Sequence, residues 1–266
     1  MLNAIVSFTN WNGINPLDQI KYMGIKNYVS AFEDEVFQKA LMHNFEFTVL
    51  NVLFIPALAF LFALAIEKSG IMGKGFFRTV LFIPAILPML LVTILFRWVY
   101  SPDGGILNEF LALIGLSSLQ KNFLGDYQVA IYALFAINVW KNVPFYMTII
   151  ISALQSVPKD LEEAIRIDGA GFWGSVFNVI IPSIRPVLNV VISLVIIDGF
   201  RVFDLVFTST KGGPAYATEV IGTMIYRVAF SDSRLGYATA LSVLNIAIVM
   251  IVSVIYNKAV SEKEDR

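Results

Sequence analysis

From Phe45 to Ile66 the chain carries one charged side chain, Glu46, in a run long enough for a helix to cross the ~30 Å hydrocarbon core of a bilayer. Comparable runs follow at Phe76–Trp98, Val129–Ala153, from about Asn178 or Pro186 to Phe200, and at Tyr237–Tyr256. A soluble domain of 266 residues has no interior that could hide them all, and with a mean hydropathy of +0.73 and 15% charged residues the composition agrees. The expectation is an all-α polytopic membrane protein with five visible spans. Pro56 interrupts the first run, and Pro84 and Pro88 the second. Proline is tolerated in a membrane helix where neighbours satisfy the carbonyls it frees, so these prolines point to a kinked, packed bundle rather than to separate anchors.

Much chemistry is excluded at once. The formal net charge is −1, so no global field favours nucleic acid. There is no cysteine, hence no disulfide, thiolate metal site or cysteine nucleophile. The one histidine, His43, has no second histidine to join it as a ligand and reads as an interfacial or helix-end residue. GIMGKG and TKGGP lack the spacing of a phosphate-binding loop, and no HExxH, nucleophile elbow or Ser-His-Asp set is present. No catalytic or metal site is expected.

Polar residues inside the spans are costly against lipid and should face the protein interior or a water-filled cavity. Val129–Ala153 carries Asn138, Trp140, Lys141, Asn142 and Pro144 near its middle, and Tyr237–Tyr256 carries Ser242 and Asn245. Hydrogen bonding between neighbouring helices accounts for such amides and hydroxyls equally well. Glu46, Asp198 and Asp204 fall near span ends. They are the carboxylates an ion- or proton-coupled secondary transporter would use.

The most informative polar stretch is Val157–Pro182, VPKDLEEAIRIDGAGFWGSVFNVIIP. Pro158 suits a helix's first turn, and Asp160, Glu162 and Glu163 follow where the helix dipole favours negative charge. Leu161, Ala164, Ile165 and Asp168 share one face, and Glu162 can pair with Arg166 on the flank. Gly169 and Gly171 are placed to end the helix through the left-handed region. Phe172, Trp173, Val176, Phe177 and Ile180 then resume a helical stripe. Two short helices at an angle, outside the membrane, are expected.

Glu163-Ala164, Asp168-Gly169-Ala170 and then Val179-Ile180-Ile181-Pro182 resemble the EAA loop of ABC importer permeases, with Ile165 standing in for the usual second alanine. GFFRTVLFIPAILP, FRWVYSPDGGILN, VWKNVPFYMTIIISALQSVP, FDLVFTSTKGGP and IYRVAFSDSRLGYATALSV extend the likeness to the sugar and glycerol-3-phosphate branch of binding-protein-dependent permeases, over nearly the whole chain. Pro144 occupies a position where that branch more often has glycine. The resemblance implies the type I importer permease fold and a transport subunit that is not an enzyme. It implies a second, homologous permease, two cytoplasmic ATPase subunits that would hold ATP and Mg, and an external binding protein delivering a carbohydrate-like solute. In such a subunit Leu161, Glu163, Ala164, Asp168, Gly169 and Ala170 would form the ATPase-coupling loop. Asn138, Lys141, Asn142, Ser242 and Asn245 would be candidates for the solute path, since a hydroxylated solute needs hydrogen-bonding partners near the midplane. A membrane scaffold whose loop merely recruits a cytoplasmic partner is a further alternative to the secondary transporter.

The resemblance also places the chain in the cell (cytoplasmic) membrane, with the loop and the C-terminus cytoplasmic. Charge bias alone decides little: nine Lys and Arg fall on each side, although the inner segments are about half as long. The implied division is an extracytoplasmic segment 1–42, a type-1 transmembrane domain 43–257 containing the loop 157–182, and a cytoplasmic tail 258–266. Within 1–42, Phe32, Val36, Phe37 and Ala40 suggest a short surface helix. MLNAIVSF is too short to span and reads as the outer end of a sixth, N-terminal span whose inner part precedes Met1.

Overall fold

A computed structural model describes residues 2–68 and 70–264, and within them the chain is helical apart from loops and one isolated bridge between Thr9 and Tyr22. Helix α1 (Leu2–Val6) is short, and α2 (Lys26–Glu33) ends at Asp34. Asp34 is extended, and its Oδ1 accepts hydrogen bonds from the backbone of Val36 at 2.9 Å and Phe37 at 3.4 Å, which starts α3 (Glu35–Lys68). The short surface helix expected around Phe32–Ala40 is therefore divided. Its second half is the first turns of a 34-residue helix that also contains the first span. Polarity hid this continuity, because Phe37 and Ala40 are buried not by lipid but by Ile221, Met224 and Tyr237 from the far end of the chain.

The second apolar run is not one continuous span. Helices α4 (Lys74–Ile86) and α5 (Met89–Val99) meet at a 95° bend. Pro88 supplies the reason: it has no N–H to continue the α4 ladder, and Leu87 before it is extended at φ −69°, ψ 133°. The following connector holds α6 (Ile106–Leu113), and α7 (Ala130–Gln155) closely matches the third expected span. After α8 (Lys159–Ile167), α9 (Phe172–Ser175) runs through a π turn at Val176–Ile180 into α10 (Ile181–Phe200). The second of the two short helices expected here is thus the opening of a 29-residue span, Phe172–Phe200. Helices α11 (Asp204–Ser209) and α12 (Ile221–Tyr226) precede α13 (Leu235–Glu264). Among the described residues four helices are long and apolar enough to cross a membrane, and the bent pair makes a fifth if it counts as one span.

Helix α3 is the hub, packed along α7 and α10. Ile55, Ala59 and Ala63 meet Tyr146, Ile150 and Leu154 of α7 and Ile184 and Val191 of α10. A second cluster joins Phe47, Val92, Leu134, Ile137 and Val206. Close approach of α10 to α3 depends on Gly199, where a Cβ would lie 2.4 Å from Thr48 Oγ1 and 2.9 Å from Thr48 Cα. Small residues at such crossings let membrane helices make van der Waals contact backbone to backbone.

Candidate functional site

The loop between the third and fourth spans is an amphipathic helix followed by a tight turn. Asp168 N–H donates to Ala164 O and Ala170 N–H to Ile165 O, both at 3.1 Å, while Gly169 sits at φ +85°. This six-to-one closure with a left-handed glycine satisfies carbonyls that the end of α8 would otherwise leave unpaired. Gly169 is the turn, as expected. Gly171 is not left-handed: at φ −70°, ψ 177° it is extended and opens α9. Pro158 stands just before α8 and accepts Leu161 N–H, rather than lying within the first turn.

The outer side of the loop is free. Leu161 is 49% exposed, Glu163, Ala164, Asp168 and Gly169 are exposed, and Ile165 and Ala170 are partly covered. Ile167, Phe172, Trp173 and Phe177 add exposed apolar surface beside them. Glu162 is buried and accepts a charged hydrogen bond from Lys68 at the end of α3; the Arg166 side chain, its expected i, i+4 partner, lies outside the described residues.

Between α7 and the end of α10, a polar cavity of about 290 Å³ is lined by Asn138, Asn142, Asp198, Arg201 and Asp204 together with Met89 and Phe203. Its wall is built from a relay of amides. Asn142 Nδ2 donates to Asn138 Oδ1 at 2.8 Å, and Asn138 Nδ2 donates to Asn51 Oδ1 on α3 at 3.1 Å. Alongside, Tyr146 donates its hydroxyl to Asp198 Oδ2 at 2.6 Å. The i, i+4 spacing places Asn138 and Asn142 on the same face of α7, and Asn51 orients the deeper of the two. What remains is a set of amide and carboxylate groups and a guanidinium, the kinds of group that bind hydroxyls.

The expected solute-path residues do not all converge here. Asn138 and Asn142 line the cavity; Lys141 turns to the bend between α4 and α5, where its Nζ donates to Leu87 O at 2.8 Å, Ala85 O at 3.1 Å and Pro84 O at 3.5 Å. Ser242 and Asn245 stand on α13 outside the cavity lining, the former donating to its own helix at Ala238 O. Pro144 lines a separate apolar cavity with Leu58, Phe62 and Trp140. Four polar residues of the region, Asn51, Asp198, Arg201 and Asp204, are missed or read differently from the sequence. Asn51 is a lone amide in an apolar run and gave the only available signal. Asp198 and Asp204 read from the sequence only as ion-coupling carboxylates, and Arg201 only as one of the nine basic residues of the outer side.

With this geometry in hand, relatives are informative. Residues 56–262 match the family described as the binding-protein-dependent transport system inner membrane component. The multiple sugar-binding transport system permease protein MsmF of Streptococcus mutans is 31% identical over 258 residues, covering 96% of this chain and 86% of that one. The trehalose/maltose transport system permease protein MalF of Thermococcus litoralis is 29% identical, covering 89% and 79%. Among solved structures, a chain of a bacterial ABC transporter involved in the import of the acidic polysaccharide alginate superposes with a TM-score of 0.83 at 25% identity, covering 91% of this chain and 84% of that one. These matches favour an ABC transporter permease over an ion-coupled carrier or a scaffold. The chain belongs to the binding-protein-dependent transport system inner membrane component family, with the type I importer permease fold and the role of a non-catalytic transport subunit.

Proposed function

We propose that this permease passes a carbohydrate-like solute, delivered by an external binding protein, through the cavity lined by Asn138, Asn142, Asp198 and Arg201. Uptake is driven by ATP hydrolysed, with Mg, in two cytoplasmic ATPase subunits that dock on α8, and a second, homologous permease completes the path. The loop and the C-terminal tail are then cytoplasmic. The observation that carries this reading is α8 itself: an amphipathic helix outside the spans, closed by a left-handed glycine, presenting Leu161, Glu163, Ala164 and Asp168 outward. A helix with an apolar stripe facing water is unfavourable unless a partner covers it. The solute class is supported by the amide relay and by relatives named for sugars and an acidic polysaccharide. Lys141 is better suited to holding the bend than to holding solute.

The assembled transporter in proteoliposomes, offered a panel of labelled di- and oligosaccharides, tests both halves. N142A is expected to lower uptake at least several-fold while the ATPase still copurifies. Uptake unaffected by ATP, or a chain that copurifies with no ATPase, overturns the reading.

A further inference from the structure

Glu162 and Glu163 are adjacent in α8 but lie on different faces, because successive residues of a helix are rotated by about 100°. Glu163 is exposed, whereas Glu162 is 8% exposed and held by Lys68, the last residue of α3. The neighbouring residue of α3, Glu67, turns in a different direction. It pairs with Arg78 of α4, lies 3.8 Å from Lys74 Nζ, and accepts from Gln155 Nε2 at the end of α7 at 3.5 Å. The end of α3 thus grips three other elements: α8 through Lys68, and α4 and α7 through Glu67. Helix α8 packs otherwise on α9 and the π turn that follows it. It is bounded by Pro158, whose ring fixes the backbone where the helix begins, and by the left-handed Gly169, where it ends.

We propose that the Lys68–Glu162 ion pair transmits displacement of α8 to α3, the helix on which α7 and α10 pack, and that both are positioning residues for transport. The proposal rests on the docking of an ATPase to α8 described above. A push on the exposed face would tilt α8 about its ends; with Lys68 attached to its inner face, the same push moves the end of α3, and Glu67 carries it into α4 and α7. Partial shielding of the pair, at 18% and 11% side-chain exposure, keeps it from being screened as a surface pair would be.

The chain has no native cysteine, so spin labels can be placed in it singly or in pairs without background from its own residues, any cysteines of the partner subunits being replaced first. Lys159→Cys reports on α8 and Leu61→Cys on α3, each measured against a label at Ile246→Cys on α13, in the full transporter with and without the magnesium complex of a non-hydrolysable ATP analogue. Both distances are expected to shift on nucleotide binding. In K68M the α8 distance should still shift and the α3 distance should not, and K68E/E162K should recover the α3 shift. E162Q reads the same loss if K68M fails to assemble. An α3 shift that persists in K68M or E162Q overturns the proposal, as does failure of the charge swap to recover it in an assembled complex. Absence of the α8 shift in the unsubstituted protein would instead overturn the docking reading beneath it.

Discussion

Two interruptions of helix in this molecule are resolved in opposite ways. The 95° break between α4 and α5 is caused by a proline, and one lysine from another helix donates to the carbonyls around it, those of Ala85 and Leu87 and, more weakly, that of Pro84, which also accepts the Leu87 N–H at 3.4 Å. The turn after α8 is caused by a glycine, its carbonyls are closed by local backbone N–H groups, and a Cβ at Gly169 would meet nothing within 4 Å. Within a membrane bundle there is little water to bond stranded carbonyls, so a break there needs a protein donor, and a cation near a helix C-terminus is also favoured by the dipole. Outside it, local closure and solvent suffice. The interior break is therefore a property of the tertiary structure, and the exterior turn a property of a few consecutive residues.

The largest effect expected from attacking this contrast is at Lys141. K141M keeps much of the side chain's length but removes every donor, leaving three carbonyls without their ammonium partner. A buried polar group left unsatisfied costs about 1–3 kcal/mol, so a loss of roughly 3 kcal/mol in all is expected. Thermal unfolding in detergent should show a clear drop in Tm, with K141R falling between K141M and the unsubstituted protein. Unchanged stability in K141M would mean that the bend is held by packing alone.

Gly169→Val should act differently. The site has room, so the cost is conformational: a β-branched residue at φ +85° is strained by about 1–2 kcal/mol, and the turn will relax by redirecting α9. Membrane insertion should persist while copurification with the ATPase and uptake fall. Normal uptake with normal subunit association would show that the turn's geometry is dispensable.

The smallest effect is expected at Glu219, in the connector between α10 and α12, where a carboxylate is 2% exposed with Arg227 Nε 3.5 Å away. Burial pushes its pKa up, and Arg227 opposes the shift without cancelling it. A carboxyl whose pKa is raised on folding binds its proton more tightly in the folded state. Its contribution therefore favours the fold at low pH and declines as pH rises from the ordinary carboxylate range through the raised value. E219Q should flatten that part of the stability-versus-pH profile while leaving uptake nearly unchanged. An unaltered profile would place the proton-linked group elsewhere.

Much of the architecture was legible before any coordinates. The run Val129–Ala153 became α7, Ala130–Gln155, because a long apolar segment with an amide-bearing face has few alternatives to a membrane helix. The turn at Gly169 was readable because φ preference is a property of the residue itself. The surface helix near Phe37 was not, since its apolar side is covered by α12 and α13, which lie far along the chain. The candidate cavity was half visible: Asn138 and Asn142 announced themselves by polarity within a span, but Asp198 and Arg201 join them only because α10 ends beside α7.

By itself, then, the sequence determined which segments are apolar enough to form spans, the turn at Gly169, and which residues are too polar to face lipid; it did not tell Pro88, where the helix breaks, from Pro56, through which α3 runs on unbroken. All three follow from hydropathy and backbone preference, which act over one to a few turns. Only the tertiary structure decided what those polar residues do. Lys141, read as a solute-path candidate, holds carbonyls 54 to 57 positions away; Glu162, read as able to pair with Arg166 four positions on, accepts from Lys68 across 94 positions; and Asn138 is oriented by Asn51 across 87. A buried polar group must find a partner, but which one it finds depends on which helices pack side by side, and nothing local to the residue specifies that.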